Sequence, residues 1–167
     1  VILGPVWAGC AVALCRSADA LLAGAVSPGA ACTVIPGVPA LFEMLCAAPA
    51  ASAAPARLRL AYSAGAILPA GVFNGFLDRY GLRIGQLYGM TEIGSVTFNA
   101  PDEPDHDPMS VGRPMQGVQL RVLRAGARRL DEPCAAGEEG EVAVSAPSML
   151  SGYLRGDPPV CEPPDSM

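Results

Sequence analysis

Over residues 1–90 the hydrophobic positions follow one pattern, a short apolar run and then a segment with apolar residues at helical spacing. That alternation predicts parallel strands joined by crossover helices, because each strand is buried on both faces while each helix shows the core one face. Strands are read at residues 10–15, 32–35, 58–62 and 83–88. Helices are read at 18–26, at 38–48 with Pro39 in the first turn, and at 69–80. The last helix sets Val72, Phe73, Phe76, Leu77 and Tyr80 on one face and stops at Gly81. A Pro/Ala-rich connector occupies 49–57.

Past Thr97 the pattern changes. A polar, proline-containing loop fills 99–110, after which 118–124 and 139–145 alternate apolar and polar positions, as antiparallel strands with one wet face do. The fold class is therefore α/β, a parallel sheet with flanking helices followed by a smaller antiparallel β-rich subdomain. The boundaries are read as 1–98 for the α/β part and 99–154 for the β-rich part, with 155–167 as an irregular or truncated tail.

At 167 residues and 51% hydrophobic positions the chain can bury a core and is too apolar for intrinsic disorder. The net charge of -5, with no basic stripe to neutralise phosphates, argues against nucleic acid or an anionic membrane as a partner. The apolar opening, 1–15, falls short of the roughly 20 residues a spanning helix needs and is broken by Gly4, Pro5 and Gly9, so no transmembrane segment is expected. It reads as a buried strand and its approach loop. The six cysteines show no metal-ligand spacing and read as reduced, buried residues of a cytoplasmic protein. His106, the single histidine, stands among Asp105, Asp107 and prolines and reads as a solvated loop residue.

Chemistry concentrates just beyond the strand at 83–88, since ligands of open α/β sheets gather at the carboxyl ends of strands. There the chain reads Tyr88-Gly89-Met90-Thr91-Glu92. A tyrosine ring offers a flat face to a base, a glycine admits close backbone approach, a threonine hydroxyl binds phosphate oxygen and a glutamate offers hard oxygen to magnesium.

Five segments in order, Thr33 to Pro39, Leu58 to Pro69, Gln86 to Glu92, Val111-Gly-Arg-Pro114 and Gly140-Glu-Val142 running on to Ser151-Gly-Tyr153, resemble the adenylate-forming (AMP-binding) superfamily of acyl-CoA synthetases, luciferases and peptide-synthetase adenylation domains. The resemblance covers most of residues 10–154 and fits an internal piece of that family's large domain. It implies an acid–thiol ligase that joins a carboxylic acid to ATP and passes the acyl group to coenzyme A, with ATP, Mg2+ and coenzyme A as cofactors or co-substrates. It also implies that adenine lies between Tyr88 and the backbone of Gly65 and Ala66, with Gln86, Leu87, Gly89 and Met90 around the nucleotide, Thr91 on phosphate and Glu92 on the metal; Thr91 and Glu92 are the implied catalytic residues. Glu141, Gly152 and Tyr153 are read as structural.

The chain departs from the family pattern at Ala64, where glycine is usual, and at Ile67, where proline is frequent. Met90 and Gln86 lean towards acyl-CoA synthetases over peptide-synthetase adenylation domains. The family's phosphate loop, its ribose-binding aspartate and its late catalytic lysine are not recognisable here, and the chain has no lysine at all. Little or no ligase activity is expected of the chain alone. Two alternatives are a non-catalytic nucleotide- or acyl-binding module, which includes a degenerate remnant, and a dinucleotide oxidoreductase. Against the second, no GxGxxG follows the first strand.

Overall fold

The computed structural model describes residues 3–14, 32–48, 57–126, 132–156 and 160–162. A short helix, α1 (Leu3–Trp7), opens the chain. Strand β1 (Val34–Gly37) is followed by α2 (Pro39–Ala47), β2 (Leu60–Ala64), α3 (Ala70–Tyr80), β3 (Ile84–Met90) and β4 (Gly94–Asn99). Then come β5 (Arg113–Pro114), β6 (Gln119–Leu123), β7 (Glu141–Ser145), β8 (Tyr153–Arg155) and β9 (Val160–Glu162).

The main sheet has the order β1-β2-β3-β4-β5. Its first three strands are parallel, with Ile35 opposite Ala61 and Ala61 opposite Ile84. β4 returns antiparallel to β3, as the three-residue turn between them requires, so the sheet is mixed. β6 and β7 form a separate antiparallel pair, as do β8 and β9. By internal packing the chain divides into two compact units, one of residues 1–88 and 98–112 and the other of 89–97 and 113–167.

In the first unit the predicted alternation becomes a core. Pro39 stands in the first turn of α2, where its missing N–H costs no hydrogen bond. Gly81 ends α3 in the left-handed conformation at φ 69°. Phe42 and Leu45 of α2, Phe73 and Phe76 of α3, and Ala61, Leu68 and Ile84 from the strand side form one buried cluster, with Val72, Leu77 and Tyr80 partly buried against it. Phe42 meets Phe76 edge to face at 5.3 Å. The last carbonyls of α2, orphaned at any helix end, are taken by α3: the Tyr80 hydroxyl donates to Leu45 O at 2.8 Å and Arg79 Nη1 to Cys46 O at 3.0 Å.

Several expectations need correction. Residues 10–14 are not a strand. A strand exists only through its pairing with a neighbour, and no described residue pairs with this run; Leu14 is 78% exposed and Trp7 of α1 is 93% exposed. The helix read at 18–26 lies outside the described residues. Within 155–167, read as an irregular tail, Arg155 and Val160 to Glu162 belong to a two-stranded antiparallel ribbon with Tyr153 and Leu154. His106 is half-buried rather than solvated, stacked on Phe73 at 5.6 Å with its Nε2 lacking a hydrogen-bond partner. Cys10, Cys32, Cys46 and Cys134 are free thiols but not buried: Cys10 is exposed and the other three are intermediate. Desolvation raises the Cys46 thiol above its ordinary pKa, opposed by the nearby Arg79.

Candidate nucleotide site

The predicted site residues divide between the two units. Gly65, Ala66, Gln86, Leu87 and Tyr88 belong to the first; Gly89, Met90, Thr91 and Glu92 belong to the second.

In the first unit, β2 and β3 run side by side with Ser63 opposite Gln86 and Ala64 opposite Leu87. The next residues along the two strands are Gly65 and Tyr88, so the register brings them to neighbouring positions on strands that lie about 4.8 Å apart. Gly65 adopts φ 86°, a left-handed conformation that favours glycine, and there the backbone leaves the sheet. Gly65, Ala66 and Ile67 are exposed, and Leu68, 1% exposed, pins the far end of this short loop into the core. Ala64 fits where the family usually has glycine because it lies within β2 at negative φ. Tyr88 is half-buried, with a ring at the end of the row.

Gln86 is buried, and its amide nitrogen donates to Pro108 O at 2.6 Å and Ser110 O at 3.0 Å. Asn99 Nδ2 donates to Asp107 O at 2.7 Å and to the same Ser110 O at 2.9 Å. Two buried amides thus hold the 99–110 loop against the sheet. Both N–H groups of Gln86 are spent on that loop, which makes its visible role the anchoring of the segment that ends in Tyr88. The Ser63 hydroxyl, opposite Gln86, is buried and has no hydrogen-bond partner.

In the second unit the turn between β3 and β4 carries Thr91 and Glu92. Ile93 N donates to Met90 O at 3.2 Å to close it, and the Ile93 side chain, 2% exposed, anchors it. Thr91 is exposed and Glu92 half-buried. A distant segment holds this turn. Ser148 Oγ donates to Ile93 O at 2.7 Å, Leu150 N donates to Glu92 O at 2.7 Å, and the Tyr153 hydroxyl donates to Glu92 Oε1 at 3.2 Å.

The family model of AMP-binding enzymes matches residues 1–154. The chain belongs to the AMP-binding enzyme family. It is 36% identical over 123 residues to an anthranilate–CoA ligase of Pseudomonas aeruginosa, an alignment covering 73% of this chain and 22% of that protein. It is 32% identical over 155 residues to a feruloyl-CoA synthase of Amycolatopsis, covering 86% of this chain and 30% of the relative. Among solved structures, a benzoate CoA ligase from Burkholderia xenovorans superposes with a TM-score of 0.71 at 25% identity, over 91% of this chain and 30% of that one. The chain therefore spans about a fifth to a third of the length of these relatives.

An adenylate-forming family member with this donor set suits a shared rather than a caged magnesium ion. Among the described residues no group of three or more His, Cys, Asp or Glu could hold a metal. Magnesium commonly takes one or two protein carboxylates and completes its shell with substrate phosphates and water, and the Glu92 carboxylate is of that kind. Sequence reasoning named Glu92 and Thr91 but missed the hold exerted on their turn by Ser148, Leu150 and Tyr153. The Ser-Gly-Tyr segment was visible as a family match; its partner, more than fifty residues away, was not.

Proposed function

We propose that this chain supplies one wall of the AMP site of an ATP-dependent carboxylate–CoA ligase. In that reaction the carboxylate of the acid attacks the α-phosphorus of ATP, pyrophosphate leaves, and a thiol of coenzyme A then displaces AMP from the acyl-adenylate. The register that makes Gly65 and Tyr88 successors of a paired row in β2 and β3 is the observation that carries this reading. The tyrosine ring stacks on adenine and the exposed Gly65-Ala66 backbone covers its other face, with Leu87, Gly89 and Met90 around the nucleotide. Gln86 serves through the loop it anchors. Thr91 offers its hydroxyl to a phosphate oxygen and Glu92 its carboxylate to Mg2+, which when bound offsets negative charge on the phosphates.

The CoA ligases among the relatives support a carboxylic acid as the substrate class, with fatty acids one candidate within it. Free thiols among the described residues fit a cytoplasmic setting, and no helix among them is long and apolar enough to cross a membrane.

Calorimetric titration of the purified chain tests the reading. Saturable binding of AMP is expected, stronger than that of GMP, together with near-background carboxylate-dependent ATP–pyrophosphate exchange. Tighter binding of NADH than of AMP, or no AMP binding, overturns the nucleotide assignment. Strong exchange by this chain alone overturns the view that it holds only part of the machinery.

A further inference from the structure

We infer that Tyr153 is a positioning residue for the Glu92 carboxylate, fixing it for a divalent cation carried in with the nucleotide; this rests on the metal role proposed for Glu92. Three contacts converge on the β3–β4 turn from one short segment, all within the second unit. Two of them, from Ser148 Oγ and Leu150 N, engage the carbonyls of Ile93 and Glu92 and so fix the backbone of the turn. The third differs in kind. The Tyr153 hydroxyl donates at 3.2 Å to Oε1 of the Glu92 side chain, from a residue sixty-one positions along the chain.

Tyr153 is itself held, because it opens β8 and pairs with Glu162 of β9. Its phenol therefore approaches the carboxylate from a hydrogen-bonded ribbon rather than from a free loop. A carboxylate has two oxygens and about four lone-pair sites. One hydrogen bond to Oε1 occupies a single one of those sites and restricts the rotation of a side chain that would otherwise lose much freedom on binding a metal. Partners of metal-ligating groups act in this way, and their loss typically weakens metal binding by roughly 10- to 100-fold. The contact is exposed, which sets the expectation at the low end of that range.

The test uses the full chain, with Mn2+ as the probe ion and ATP or AMP as the nucleotide. Mn2+ bound with ATP is read by water-proton relaxation, and AMP affinity is measured separately in EDTA. Tyr153→Phe keeps the ring and removes the hydroxyl. It is expected to raise the Mn2+ concentration for half-maximal effect about tenfold, with AMP affinity in EDTA unchanged. Glu92→Gln should abolish the Mn2+ response, and adding Tyr153→Phe to it should change nothing further.

An unaltered Mn2+ response in Tyr153→Phe, beside a lost response in Glu92→Gln, overturns the inference and leaves the Glu92 reading standing. An equal loss of AMP affinity in EDTA also overturns it, since that marks a purely structural role. If the unsubstituted chain binds AMP yet shows no Mn2+ response, the metal role of Glu92 fails and the inference falls with it.

Discussion

Phe42→Ala is expected to destabilise the first unit by about 3–5 kcal/mol. Phe42 is 0% exposed and sits at the centre of the cluster that joins α2, α3 and the sheet, edge to face with Phe76 at 5.3 Å. Shortening it removes the ring from the interior and leaves a cavity that α2 and α3, tied together at their C-terminal ends, close only in part. Native domains are stable by only about 5–15 kcal/mol, so the loss is a large part of the total. Urea or thermal unfolding followed by circular dichroism should show a midpoint lower by on the order of 10 °C. Phe42→Leu, which keeps most of the volume, should cost distinctly less. A change below about 1 kcal/mol in the alanine variant, far under the range for a buried aromatic, would remove Phe42 from the core. Because this cluster braces β2 and β3 against the helices, the same substitution should weaken AMP binding in proportion to the unfolded fraction.

Gly89→Ala is expected to damage the site while leaving the first unit folded. A methyl group at Gly89 would collide with the carbonyl oxygen of Gly94 and lie 3.1 Å from the Gly94 carbonyl carbon and 3.2 Å from Ser95 Cα. These are backbone atoms of the strand opposite, so no side-chain rotation relieves them. The hairpin that carries Thr91 and Glu92 must open, at a cost of about 1–3 kcal/mol, and the Mn2+ response of ATP binding should be lost with it. Gly71→Ala is the matched control, since nothing lies within 4 Å of a methyl there and the residue is inside α3. Gly71 is the second residue of the helix, and the change should stabilise the protein by roughly 0.4–1 kcal/mol, chiefly by restricting the unfolded chain. If Gly89→Ala behaves like Gly71→Ala, the tight approach of β3 and β4 is not required for the site.

What could be read from the sequence, and what could not, follows from the range of the forces involved. The helix with Phe73, Phe76 and Tyr80 on one face and Gly81 at its end was legible because periodicity and a left-handed cap are local. The β6–β7 pair was legible from alternation alone. Residues 10–14 misled because a short apolar run is the same for a strand and for a segment that finds no partner. His106 misled because its acidic and proline neighbours in sequence say nothing of Phe73, thirty-three positions earlier, on which it stacks. The run from Tyr88 to Glu92 stood out as a candidate because each residue type has a use in holding a nucleotide. The hydrogen bonds of Gln86 to the 99–110 loop and of Tyr153 to Glu92 did not, since both depend on which loop returns to which strand end.

The central claim is that the ends of β2 and β3 receive adenine, and photoaffinity labelling with 8-azido-AMP tests it most directly. After irradiation and digestion, label is expected on peptides containing Tyr88 or the Gly65-Ala66 pair, and excess AMP should suppress it. Label confined to other peptides, or label at these positions that excess AMP leaves undiminished, would contradict the account.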